Sequence, residues 1–274
     1  MPSRVDELMQ RILGYAVDPN RIRNRALEAI RTRGIGSYEW RVELGAVDRP
    51  AYAYCVRDAA RLAARLEMPR ISVVEFGVAT GEGLLALERH AMEWSKVYGV
   101  EIEVYGFDSG HGLPGLTDYR DLPYHWQQGF FEMDQQKLRD RLQMAHLIIG
   151  QVDETLPTFV DAYDPAPVAA VMYDMDLYSS TTTGLQIFDT DEKFRMPRTL
   201  VYLDDIIGNG ISLFSDYTGE RLAIAEFNEA HQTQKISPAY NLVCRATREW
   251  HHQIYVNHDF AHGRYNDFVS WLRN

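Results

Sequence analysis

Cysteine and lysine are the scarce residues of this 274-residue chain: it has two cysteines, Cys55 and Cys244, and four lysines, Lys96, Lys137, Lys193 and Lys235. Two distant thiols in apolar surroundings are too few for a disulfide framework or a structural zinc site, and they read as buried free cysteines. None of the lysines follows a G-x-x-x-x-G-K-[ST] loop, which excludes a P-loop nucleotidase. Positive charge is short overall, with 28 Lys and Arg against 39 Asp and Glu and a formal net charge of −11. An acidic surface repels phosphate backbones, so neither general nucleic-acid binding nor polybasic attachment to a membrane is expected. No apolar run approaches the roughly 18 residues that a membrane-crossing helix needs. The opening MPSRVDELMQRILGYAVD has neither the apolar core nor the small-residue cleavage site of a secretory signal, so the expected location is the cytoplasm.

What remains is ordinary globular composition, 46% hydrophobic and 24% charged, which excludes collagen-like, coiled-coil and wholly disordered chains. Residues 1–68 read as a helical cap: Val5, Leu8, Ile12 and Leu13, then Ile22, Leu27 and Ile30, recur at helical spacing. Gly34-Ile-Gly36-Ser37 breaks this pattern, and Asp48-Arg49-Pro50 starts a helix over about 51–67. From residue 69 to 274 the pattern is that of a second domain, with short apolar runs at 71–76, 102–107, 145–149, 168–174 and 199–203. Amphipathic stretches such as 83–97 and 135–142 separate most of them, so the fold class is α/β, a parallel sheet covered by helices. Apolar stretches at 240–246 and 251–257 suggest a closing antiparallel hairpin, and 109–134, rich in aromatics, Gly and Pro, suggests a loop or lid.

Three stretches carry chemistry. In VVEFGVATGEG a buried strand meets Glu75 and a glycine-rich turn through Gly77 and Gly81, then a helix. Glycines let a ligand approach the main chain, but the spacing is not the G-x-G-x-x-G of a dinucleotide site. A carboxylate here would repel a pyrophosphate at the helix start, so Glu75 favours a cationic or hydroxyl-rich ligand. The second strand ends in Asp108-Ser109, where a carboxylate can grip the two hydroxyls of a ribose or simply face water in a turn. The third signal is a pair of strands, VMYDMDLYSST and LVYLDD, each delivering acids to one sheet edge. These acids either cap helices and face solvent or share a hard divalent cation, which takes oxygen ligands.

The residues EFGVATGEG, GFDSGHGLP, IIGQVDETLP, DMDLYSST and YLDDI, in this order, resemble class I S-adenosylmethionine-dependent methyltransferases, and in particular the macrocin O-methyltransferase family. The likeness spans about residues 70–210 and implies a doubly wound, Rossmann-like, seven-stranded and mainly parallel sheet. It also implies roles. Glu75, Gly77 and Gly81 line the methionine and ribose part of S-adenosyl-L-methionine, Asp108 and Ser109 hold its ribose side, and Gln151 and Val152 border the adenine. Asp174, Asp204 and Asp205 hold Mg2+, and Asp174 is the general base. The implied reaction is O-methylation of a small hydroxylated acceptor, a sugar of a natural product or glycan. The alternatives are a relative of the fold with different, hydroxylase-type chemistry, and a non-catalytic cofactor-binding module. His111 follows Gly110 where the family has another residue, and Leu177 and Tyr178 stand where catechol-type relatives carry a lysine base. The segment 122–134 fits no family pattern.

Weaker candidates complete the reading. His258 and His262 have metal-ligand spacing without a third ligand, alongside His251 and His252. Tyr124, His125 and Trp126 offer rings for stacking on an acceptor, whereas Tyr52 and Tyr54 read as packing residues. The cluster Arg21, Arg23, Arg25, Arg31 and Arg33 reads as a solvated face or the contact of a homo-oligomer.

Overall fold

The computed structural model describes residues 19–244 and 248–270. The chain divides into two compact units, Met1–Pro50 and Ala51–Asn274. In the first, α1 (Pro19–Arg33) and α2 (Tyr38–Leu44) are separated where the glycines predict a break. Ser37 Oγ accepts the Trp40 N–H and caps α2, satisfying one of the orphan donors of a helix start. The apolar series at 5–13 lies outside the described residues.

The second unit opens with α3 (Pro50–Arg65), which starts on the proline, and continues into a seven-stranded sheet ordered β3-β2-β1-β4-β5-β7-β6. Its parallel strands are β1 (Arg70–Phe76), β2 (Glu101–Asp108), β3 (His146–Ile149), β4 (Val168–Tyr173) and β5 (Arg195–Leu203). β6 (Gln234–Pro238) and β7 (Ile254–Asp259) close it in antiparallel pairing. β4 is buried along its whole length and β1 along all but Arg70, because central parallel strands are covered on both faces. The covering helices include α4 (Glu82–Tyr98), α5 (Gln135–Arg139), α6 (Val152–Tyr163), α7 (Tyr178–Gly184) and α8 (Gly219–Ala230). Near the carboxyl ends, Phe76 stacks on Phe107 and on Tyr173 with centroids 4.9 and 5.5 Å apart, an aromatic floor across β2, β1 and β4. Among the described residues, no helix is long and apolar enough to cross a membrane.

The five parallel strands fall where the apolar runs place them, but the hairpin does not. Residues 240–243 form a short helix, α9 (Tyr240–Val243), and the first antiparallel strand is the more polar Gln234–Pro238. Tertiary bonding decides this: Asn228 on α8 donates to the Ile236 carbonyl at 2.8 Å and accepts its N–H at 2.7 Å. A side chain thereby covers part of an edge strand, where the sequence shows only a short apolar run further on. Cys55 is buried as expected, but Cys244, just past α9, is exposed. β5 begins at Arg195 rather than 199, with Pro197 placed where its register against β4 shifts, since proline cannot donate to a ladder.

Candidate functional site

The backbone ladder continues one step past the strands. Gly150 N–H donates to Asp108 O, Gly77 N–H to Phe107 O, Asp174 N–H to Phe76 O and Asp204 N–H to Tyr173 O, each at 2.9–3.0 Å. The loops after β3, β2, β1, β4 and β5 therefore leave the sheet from one row, which includes the point where strand order reverses between β1 and β4. Open α/β sheets bind ligands outside the carboxyl ends at that reversal. Gly77 is required there: it has φ 86°, and a Cβ on it would lie 1.8 Å from the Asp174 carbonyl oxygen.

Glu75 lies beneath this row, 1% exposed, and accepts the Tyr52 hydroxyl at 2.8 Å on Oε1. A Cβ at Gly83 would lie 1.9 Å from the same oxygen, so the first turn of α4 fits over the carboxylate only because residue 83 has no side chain. Gly81 precedes that turn in a left-handed conformation. Tyr52, read from sequence as packing, is thus a polar partner of a predicted site residue. Asp108 has a related duty: Oδ2 accepts the N–H groups of Val78 and Ala79 at 2.9 and 2.8 Å, and Oδ1 accepts that of Gly110 at 2.6 Å. A carboxylate has about four lone-pair sites, so these three bonds tie the glycine turn to β2 and leave little capacity for a ligand unless one is exchanged. Ser109 Oγ donates to Gly112 O at 3.1 Å and accepts the His111 N–H, shaping the next turn. Beside it an open cleft of about 790 Å3 is lined by Gly110, His111, Glu132, Met133, Asp134 and Gln135. Gln151, exposed, is the N-cap of α6, and Val152 begins that helix half-buried against the core.

On the other side of the reversal the structure brings Asp174, Asp204 and Asp205 together. One carboxylate oxygen from each lies within 4.8 Å of the others, the one such group of three among the described residues. Its surroundings are more acidic than the sequence reading anticipated. Asp176, in a left-handed conformation at φ 63°, donates its N–H to Asp205 Oδ2 at 3.1 Å. Asp205 donates its own N–H to Glu220 Oε2 at 3.0 Å, and the Tyr202 hydroxyl donates to Asp204 Oδ1. Burial, then the charges of Asp174 and Asp204, push Asp176 up to about 8. Asp205 and Glu220 are also raised well above the ordinary range, by burial first and then by Asp176 and Asp205 respectively. Carboxylates so crowded must hold protons or share a cation. Three half-buried oxygens in one group suit a hard divalent ion, which binds carboxylates and keeps positions for water or substrate.

Two loops meet near this cluster. In 109–134, Tyr124 donates its hydroxyl to Ser212 O at 2.6 Å and His125 packs edge-on to Phe214, both in the segment after Asp205. Asp121 Oδ1 accepts the Ser179 N–H at 2.8 Å, and Arg120 bonds the Tyr178 hydroxyl at 2.9 Å while covering its ring. Tyr178 in turn donates to Glu226 at 2.6 Å. The histidines do other work: His258 pairs with the Tyr265 hydroxyl, His262 with the Arg195 carbonyl, and neither joins a cation group.

No protein-family model matches the sequence, and no curated protein does. Among solved structures, CalS11, a calicheamicin methyltransferase, superposes with a TM-score of 0.53 at 16% identity, over 87% of this chain and 92% of that one. The fold is that of the class I methyltransferases. The apo form of CalS11, described as a TDP-rhamnose 3'-O-methyltransferase, gives 0.44 at 16% identity over 87% and 94% of the chains. The O-methyltransferase TomG from Streptomyces achromogenes gives 0.39 at 14% identity over 84% and 87%. Neither of these two superposes well enough to bear on the fold.

Proposed function

We propose that the protein is an S-adenosylmethionine-dependent O-methyltransferase that modifies a hydroxyl of a small acceptor, a sugar of a natural product or glycan, with Mg2+ held by Asp174, Asp204 and Asp205. The observation that carries this reading is a juxtaposition at one sheet edge: a glycine turn tied to Asp108 on one side of the strand reversal, three converging carboxylates on the other. The fold shared with a calicheamicin methyltransferase supports it.

When bound, S-adenosylmethionine supplies an electrophilic methyl group and Mg2+ supplies charge that favours an ionised acceptor hydroxyl. The chain's residues do the positioning. The turn through Gly77 and Gly81 admits a ligand to the backbone, Glu75 lends negative charge beneath it for a sulfonium and ammonium ligand, and Asp108 and Ser109 face the ribose. Gln151 and Val152 border the adenine. Asp174 takes the hydroxyl proton on a carboxylate oxygen, and holding the acceptor in line accounts for much of the rate.

Calorimetric titration with S-adenosylhomocysteine is the first test: saturable binding is expected, and none at millimolar ligand overturns the assignment. A mass gain of one methyl group on candidate sugars then identifies the acceptor. Activity that survives a chelator unchanged removes Mg2+ from the reading.

A further inference from the structure

Glu220 stands behind the three aspartates and has no counterpart in the sequence reading. It lies in the first turn of α8, fifteen residues after Asp205, and is 0% exposed. Its Oε2 accepts the Asp205 N–H at 3.0 Å, whereas Oε1 is buried with no hydrogen-bond partner. Asp205 is gripped a second time, at Oδ2, by the Asp176 N–H. Glu220 is not in the group whose oxygens converge. A carboxylate buried with one oxygen unbonded is costly, and in a fold free to choose its core it would be replaced by an apolar side chain.

We propose that Glu220 is the positioning residue for the cation site: its oxygen fixes the Asp205 main chain so that the Asp205 carboxylate faces Asp174 and Asp204. The proposal rests on the divalent-cation reading above and deepens it. Groups that orient metal ligands commonly change affinity by about 10–100-fold when lost. Here the contribution runs through reach rather than charge, because the contact is one hydrogen bond from a main-chain donor.

Two substitutions in the full chain separate reach from charge, with Mn2+ as the probe and its dissociation constant read by electron paramagnetic resonance. Glu220→Gln keeps an oxygen at the same length and is expected to bind Mn2+ within about threefold of the unaltered protein. Glu220→Asp keeps the carboxyl group but falls one methylene short, and is expected to bind about tenfold more weakly. A cooperative thermal transition in both variants establishes that they fold. Equal binding by both variants, equal loss in both, or loss in the Gln variant alone overturns the proposal. If the unaltered protein binds no Mn2+, the cation reading itself fails; normal binding there with the wrong pattern in the variants removes only the role of Glu220.

Discussion

Asp204 and Tyr52 illustrate how a single side chain serves the site from opposite directions. Asp204 belongs to the converging group and is itself held, by the Tyr202 hydroxyl and by Gln253, whose side chain donates to its carbonyl at 2.8 Å. Asp204→Ala is expected to lower methyl transfer at least about 100-fold while S-adenosylhomocysteine affinity stays within threefold, as for an interaction made with the acceptor side only. Parallel loss of both would place Asp204 in the cofactor site instead. Tyr52 acts beneath the glycine turn, donating to buried Glu75 and meeting Tyr202 edge-on at 5.2 Å. Tyr52→Phe removes a donor from a buried carboxylate and should destabilise by about 1–3 kcal/mol in urea unfolding. No change would make Tyr52 the packing residue that its sequence setting suggests. Asp174, Asp204 and Asp205 were legible because each ends an apolar strand. Glu220 was not, because its approach to Asp205 is made by a helix start fifteen residues later that carries no pattern of its own.

At the scale of elements, parallel strands were easy to read and the edge was not. β4 is a continuous apolar run, and β1 after Arg70 is apolar except at Ser72 and Glu75, because helices cover both their faces, so burial writes itself into composition. β6 is held by Asn228, a contact that local sequence does not encode. The junction of β1 and β4 tolerates no side chain at Gly77, so Gly77→Ala should cost more than roughly 3 kcal/mol or abolish soluble expression. Wild-type melting behaviour would show that the turn can shift. The loop 109–134 is fastened to α7 through Tyr178, whose hydroxyl joins Arg120 to Glu226. Tyr178→Phe deletes both bonds and should speed limited proteolysis within this loop about tenfold. An unchanged cleavage rate would mean that the Tyr124 and Asp121 contacts suffice.

For the whole molecule, the acidic cluster couples folding to pH and, on the divalent-cation reading proposed above, to cations. An aspartate in the unfolded chain loses its proton near 3.8, but Asp176 in the folded chain holds it to about 8. Between those values the folded form binds more protons, so the cluster's contribution to stability falls as pH rises. For protein stripped of metal and then freed of chelator, the rise in melting temperature on adding millimolar Mg2+ should therefore be larger at pH 8 than at pH 5, where protons already neutralise the site. An equal or reversed difference would contradict the arrangement. The unbroken row of main-chain bonds from Gly150 to Asp204 separates a platform from the loops above it. Because this row is built from peptide groups, it uses no side-chain atom of the loops that rise from it, although Gly77 must stay bare. Substitutions elsewhere in those loops can therefore reshape the surface above the sheet edge while the bonds of the platform beneath it stay the same.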